Sequence, residues 1–463
     1  MVEMQDVRAL VERHFRVYDH RQDRLPGGAP AQLFYLMFTP SEFDVKYAAL
    51  EKELRAADPD LLFFVRHDGG EDILIVTERA PVKATPNRVN AVLLGLTLLS
   101  TAAAGAMVWS LYDAPEDDFS WANLVDPAHL AWGSLTFALP LMAILGVHEM
   151  AHYIAARRHG LRSSLPFFIP MPPVLFPIGT LGAFISLRDP LPDRKALFDV
   201  GASGPLAGFA VAIPVVILGA FLTSSHAVEV PELATPEFPA STEYLVTFQE
   251  RDTAILTWVA PENGTSTYSA VAPDRDDYAL EHKVRFTLEG GETVTDDVRT
   301  TLAPNETATW TLEIPANVTK AEVRLTWDDG LIEFGDPLLV TALDPFFDNA
   351  DYLTHPTFFA GWVGLLITGI NLLPAGQLDG GHVARAVLGE RTRIAAYLAI
   401  GLLFYLGFTF GSWLLMAAFI LITGLHHPPP LNDRTSLDMK RKVLAGIVLA
   451  VLVLTFVPRP IIL

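Results

Sequence analysis

Residues 130–156 carry one charged side chain, Glu149. A run of that length and apolarity crosses a bilayer as a helix, with its backbone hydrogen bonds closed within itself. Comparable runs recur at residues 90–111, 196–222, 357–373, 394–410, 412–425 and 443–457. In a chain of 463 residues that is 51% hydrophobic, this repetition predicts a polytopic α-helical membrane protein with about seven spans.

Glu149 is costly in lipid and therefore needs a purpose. A helix would place its neighbours His148 and His152 one turn apart on one face. Two imidazoles so spaced can share one zinc, and Glu149 can draw a proton from the attacking water. The plainer alternative is a pair of hydrogen-bonded packing histidines. The chain has no cysteine, so a transition metal must be held by His and carboxylate groups. Asp379 is the best candidate for a third ligand. It precedes Arg385 much as His152 precedes Arg157, which would put both about 8–9 Å inside the same boundary at the helical rise. Gly380-Gly381 and Pro374 are expected to interrupt the helix here, and the alternative for Asp379 is a turn residue at a frayed helix end. His382 is a weaker ligand candidate, and His426 and His427 read as loop residues.

The rest of the chain divides around these runs. Residues 1–85 read as a small α/β domain. It has a helix over 6–17, a strand over 33–38, a helix from a Ser41 cap to Ala57 with Asp44 in a capping-box-like place, and strands over 61–65 and 72–77. No catalytic constellation falls there, and a regulatory or docking role is expected. No apolar signal-peptide core is found in residues 1–40. Residues 88–222 form the first half of a membrane core. Within it, the Pro-rich stretch 165–173 and a strand over 179–187 suggest a re-entrant or membrane-surface hairpin covered by protein. Gly201, Gly204 and Gly208 would permit close helix packing. Residues 223–350 hold 24 acidic and 7 basic residues, so nearly all of the formal charge of −20 lies in this segment. Short alternating runs such as 284–288 and 308–312, punctuated by Gly290-Gly291 and Asp328-Asp329-Gly330, predict a β-sandwich insert. Sequons begin at Asn263, Asn305 and Asn317. Residues 351–463 form the second half of the core. No basic patch is available to neutralise phosphates, so no nucleic-acid partner is expected.

With seven spans, Arg88, Arg157, Arg158, Arg162, Arg188, Arg194, Lys195, Arg385, Arg391, Arg393, Arg434, Lys440, Arg441 and Lys442 fall on one side. The positive-inside rule makes that side cytosolic. The N-terminal α/β domain is then cytosolic, and the β-sandwich insert is extracytosolic.

His148-Glu149-Met150-Ala151-His152 together with Asn371-Leu372-Leu373-Pro374-Ala375-Gly376-Gln377-Leu378-Asp379-Gly380-Gly381-His382 resembles the site-2 protease family of intramembrane zinc metalloproteases. Residues 179–187 and 201–209 are also similar to prokaryotic members, and the resemblance covers roughly residues 88–222 and 335–430. It implies one Zn2+ per chain held by His148, His152 and Asp379, with Glu149 as general base. It also implies that Asn371 orients or stabilises the reacting carbonyl. The implied partners are the lipid bilayer and transmembrane protein substrates, and the implied location is a prokaryotic cell membrane. The strand containing Gly179, Thr180, Leu181, Gly182, Ala183 and Phe184 can pair with an unwound substrate by β-augmentation, with simple packing equally open. Many bacterial relatives carry PDZ domains where this chain has a β-rich insert. Two rival classes are a divalent-metal transporter and a metal-free pseudoprotease that only binds membrane helices. Spans nearly free of ionisable groups outside the site argue against the first, and the intact His/Glu/His/Asp set against the second.

Overall fold

The computed structural model describes residues 4–24, 30–58, 61–68, 70–78, 86–113, 121–223, 335–343 and 354–460 apart from 410, 426, 428 and 434, together with seven strands between residues 244 and 328. Residues 116–118, the three sequon asparagines, Gly290-Gly291, Asp329-Gly330 and His426 lie outside the described residues.

The N-terminal region is α/β. Its elements are α1 (Met4–His14), β1 (Arg16–Arg24), β2 (Pro30–Met37), α2 (Pro40–Ala57), β3 (Leu61–Asp68) and β4 (Glu71–Glu78). The strands form an antiparallel sheet in the order β1-β2-β4-β3. Phe34, Leu50, Leu54 and Leu74 are fully buried between sheet and helices. Each such side chain contributes about 1.5–3 kcal/mol on burial. Two expectations are corrected. The first helix stops at His14, and Arg16 and Val17 begin a strand that the sequence reading missed. β1 is an edge strand and keeps no fully buried residue, so its sequence shows no apolar alternation. The cap of α2 is Thr39, with Pro40 rather than Ser41 opening the helix. Proline's fixed φ suits the first helical position, where no N–H is needed.

The membrane part is mostly helical. Four helical stretches among the described residues are long and apolar enough to cross a membrane: Asn87–Asp113, Pro127–Arg158, Arg194–Thr223 and Asp379–Phe408. The first is α3 and the third is α6. The second joins α4 (Pro127–Gly133), a π-helical turn (Ser134–Ala138) and α5 (Leu139–Arg158). The fourth contains α9 (Asp379–Leu388) and most of α10 (Thr392–Thr409). Shorter helices follow α6: α7 (Leu338–Leu343), α8 (Pro356–Asn371), α11 (Ser412–Thr423) and α12 (Met439–Thr455). A π turn widens the helix and breaks the regular ladder. Here the Thr136 carbonyl is taken up by the Thr357 hydroxyl of α8 at 2.8 Å, which ties the two helices together.

Between α5 and α6, β5 (Phe167–Pro170) pairs antiparallel with β6 (Thr180–Phe184). The expected hairpin is therefore present, with a shorter second strand than 179–187. Beyond Phe184 the pairing continues as single contacts, Ser163 with Leu187 and the Arg188 N–H with the Arg162 carbonyl at 2.9 Å. The hairpin lies on α3. A Cβ at Gly179, where φ is +76°, would sit 2.5 Å from the Ser100 carbonyl oxygen.

Among the described residues, the acidic insert forms two antiparallel sheets. One has five strands: β7 (Tyr244–Glu250), β8 (Thr253–Trp258), β10 (Tyr278–Leu288), β11 (Thr293–Leu302) and β13 (Val318–Asp328), in the order β11-β10-β13-β8-β7. β9 (Gly264–Val271) pairs with β12 (Thr307–Ile314) in the other. At the C-terminal end of α5, Tyr47, Glu51 and Arg55 of α2 line a crevice with His159, Asp189 and Asp193 of the core. The N-terminal region thus sits on the face where α5 ends.

Candidate metal centre

α5 presents His148 and His152 on one face, with their Nε2 atoms 3.1 Å apart. α9 brings Asp379 to the same point from 227 residues away, its Oδ2 lying 3.2 Å from each of the two nitrogens. The three atoms make a nearly equilateral triangle among buried or half-buried groups. Tetrahedral zinc with bonds of about 2.0–2.1 Å needs ligand atoms roughly 3.3 Å apart, so this donor set fits zinc.

The orientation of His152 is fixed from behind. Its Nδ1 donates to the Val200 carbonyl at 2.7 Å, which leaves the Nε2 lone pair facing Asp379 and His148. α6 can come this close because it presents glycines to the pair. A Cβ at Gly204 would lie 2.0 Å from His152 Nε2, and one at Gly208 would lie 3.0 Å from His148 Nδ1.

Asp379 is placed by a different kind of element. α8 ends at Asn371, the chain turns through Pro374 and Gly376 (φ +59°), and α9 begins at Asp379. The Gly376 N–H donates to the Leu425 carbonyl at 3.0 Å, which pins the turn to the end of α11. An acidic residue in a helix's first turn is favoured by the helix dipole. Gly380 and Gly381 do not interrupt the helix, contrary to the sequence expectation. They lie inside α9, where a Cβ would come 2.0 Å from the Leu372 oxygen and 2.4 Å from the Gly376 oxygen. Only glycine lets the turn fold back so tightly.

Glu149 is buried at 7% exposure beside the triangle, and the Ile185 backbone N–H lies close to its carboxylate. The chain just past β6 is therefore in contact with Glu149. Asn371 is half-buried at the end of α8, and among the described residues no hydrogen bond joins its side chain to the triangle. His382 stays out of the ligand group. Its Nδ1 donates to the Leu378 carbonyl at 3.1 Å, and its ring meets that of His427 at 4.3 Å. Of the residues named with the strand, Leu181 and Phe184 are half-exposed, while Thr180 is fully buried and its hydroxyl donates to the Ile169 carbonyl.

Two backbone groups, the Val200 carbonyl and the Ile185 N–H, were invisible in the sequence because no side chain marks them. Gly204 and Gly208 were legible as packing residues but not as the space for the imidazoles.

Comparison with known proteins agrees with this geometry. Residues 136–410 match the model of peptidase family M50. The chain is similar to the probable zinc metalloprotease EGY1, chloroplastic, of Arabidopsis thaliana, with 26% identity over 350 residues, 73% of this chain and 47% of that protein. It is also similar to the probable zinc metalloprotease EGY2, chloroplastic, of Oryza sativa subsp. indica, with 28% identity over 268 residues, 58% of this chain and 32% of that protein. The chain thus spans less than half the length of these relatives. Among solved structures, a xylan-binding domain of carbohydrate-binding-module family 22 aligns with 23% of this chain and 82% of its own, at 12% identity and a TM-score of 0.14, too low to indicate a shared fold. The family match covers more than half of the chain and contains all three members of the triangle, and this membrane protein belongs to peptidase family M50, the site-2 protease family.

Proposed function

We propose that this chain is an intramembrane zinc metalloprotease that hydrolyses peptide bonds in or near transmembrane helices of substrate proteins. The observation that carries this reading is the convergence of His148, His152 and Asp379 from two membrane-length helical stretches, with Glu149 one residue from the first histidine. These three residues are the ligands of one Zn2+. When bound, zinc supplies the Lewis-acid chemistry: it makes water acidic enough to attack near neutral pH and takes up the charge that develops on the carbonyl oxygen.

The other steps belong to the chain's own side chains. Glu149 accepts the water proton on its carboxylate and passes it to the leaving amine. The Val200 carbonyl holds His152 in the tautomer that keeps Nε2 free of a proton. Asn371 orients the substrate carbonyl. The unwound substrate pairs with the strand Gly179, Thr180, Leu181, Gly182, Ala183 and Phe184. In support of this, among the described residues β6 is paired on one side only and packs beside α5, the helix that carries Glu149.

The architecture that goes with this reading has about seven spans. Residues 1–85 are a cytosolic domain, 88–222 and 351–463 the two halves of the protease core, and 223–350 an extracytosolic β-sandwich. Basic residues in the last turn of α5 and in the first turns of α6 and α12 support the cytosolic side by the positive-inside rule. The relatives are chloroplastic by name, so family membership does not by itself select a prokaryotic membrane. The insert filters substrates by size and charge and does no chemistry. The family assignment disfavours a divalent-metal transporter.

Cleavage of a reconstituted membrane peptide tests the activity. The wild type should cut only when zinc-loaded, and Glu149→Gln should keep the zinc and lose the cutting. Cleavage by zinc-loaded Glu149→Gln at the wild-type rate would refute the proposed role. Replacing residues 241–340 with a Gly/Ser linker should leave peptide cleavage intact and widen the range of bulky substrates. Loss of peptide cleavage in a folded, zinc-loaded deletion would refute the filter.

A further inference from the structure

α5 and α6 meet through glycines, and this leaves a problem of alignment. Gly204 and Gly208 allow the helices to approach at the imidazoles, and being glycines they supply no side chain there to fix how α6 is rotated about its axis. Yet the Val200 carbonyl must arrive 2.7 Å from His152 Nδ1. A rotation of one residue, about 100°, would carry it away.

Val200 packs against Ala155 and Ala156 of α5, and the residue before it adds a directional constraint. Asp199 accepts from Arg441 Nε at 2.7 Å on one oxygen and from Arg441 Nη2 at 2.5 Å on the other. The second oxygen also lies 2.9 Å from His159 Nε2. His159 is the C-cap residue of α5, two turns beyond His152. Arg441 is in the first turn of α12, where its own N–H is bound by the helix cap Asp438 at 2.9 Å and its guanidinium also pairs with Asp438. One carboxylate therefore joins the end of the helix that carries His148 and His152, the first turns of α6, and the start of α12. A two-pronged Arg–carboxylate pair fixes direction as well as distance.

We infer that Asp199 is a positioning residue for the metal centre: through Arg441 and His159 it sets the rotation of α6 that aims the Val200 carbonyl at His152. This rests on the metal reading above. The side chains involved are about one-quarter exposed, so the pair is neither a free surface ion pair nor a fully desolvated one. Its effect is geometric and reaches the zinc through one backbone oxygen.

The test uses the full-length protein in lipid nanodiscs. Zinc affinity is read by competition with a chelator, and ligand geometry by the visible absorption of the cobalt-substituted protein. Asp199→Asn keeps the size of the side chain and removes the two-pronged grip. It should weaken zinc by about 10–100-fold, the usual effect of losing a group that orients a metal-binding histidine, and should shift the cobalt bands. Arg441→Gln should act in the same direction. The double variant should be little worse than Asp199→Asn alone, since both act through one contact. Lys440→Gln, an exposed neighbour, should change nothing. If Asp199→Asn fails to fold, Arg441→Gln carries the test alone. Zinc affinity within about twofold of wild type and unmoved cobalt bands in the folded variants would overturn the inference, whatever the loss of thermal stability. A wild-type protein that takes up neither metal would overturn the metal reading itself, and this inference with it.

Discussion

On α5, two residues of the candidate metal triangle are placed by helical periodicity, whereas on α9 the third is placed by a turn that must fold back on itself first. His148 and His152 need only a continuous helix between them. Asp379 needs α8 to stop at Asn371, Gly376 to take a left-handed conformation, and two glycines to let α9 pack against the turn. A local rule is thus enough for half of the site, and the other half depends on tertiary fit. Substitutions next to the two halves should fail in different ways.

The largest effect is expected at Gly204→Ala. Its methyl group would occupy the place of His152 Nε2, so zinc affinity should fall by about a hundredfold while the fold survives. Chelator competition checks this, and unchanged affinity would show that α6 does not bear on the imidazole. Gly380→Ala should do damage of another kind. Its methyl group meets backbone rather than a side chain, so stability should drop by about 1–3 kcal/mol along with the zinc, as seen in thermal unfolding. Gly208→Ala faces His148 Nδ1 at 3.0 Å and should weaken zinc by less than Gly204→Ala. Gly146→Ala, on α5 itself, meets nothing within 4 Å and should leave zinc affinity unchanged.

This contrast also explains what was legible. The HExxH spacing needed only the geometry of an ideal helix, and Asp379 could be matched to it by depth from the nearest arginine. The break between Asn371 and Asp379 could be foreseen from Pro374, but the role of Gly380 and Gly381 could not, because it depends on how the turn over residues 372–376 folds back onto the start of α9. Arg16–Arg24 was missed for the opposite reason: an edge strand that buries little leaves no apolar rhythm to read. The hairpin β5–β6 was legible from proline and strand patterning, although the contact of Ile185 with Glu149 was not.

Smaller effects lie at the ends of the helices. Cys introduced as Ser266→Cys should react with an impermeant reagent from outside, and Ser436→Cys should not. The reverse would turn the two halves of the site toward the other face. The smallest effect concerns the N-terminal end of the stretch that carries the histidines. The N–H groups of His129 and then Ala128 hold the Asp126 carboxyl below the usual carboxylate range. A lowered folded-state pKa means that the cap stabilises above about pH 4 and that this contribution is lost as pH falls through the folded value. A small difference in thermal stability between wild type and Asp126→Asn should therefore be present at pH 5 and vanish in stronger acid. Zinc content should be the same in both.

The central claim is that the α5 and α9 halves hold one metal between them. Zinc content measured side by side on wild type, Glu149→Gln and Asp379→Ala tests it most directly. The expected result is about one zinc per chain in the first two and almost none in Asp379→Ala, on the three-ligand logic of catalytic zinc sites. Full zinc retention in Asp379→Ala would remove α9 from the site and contradict the account.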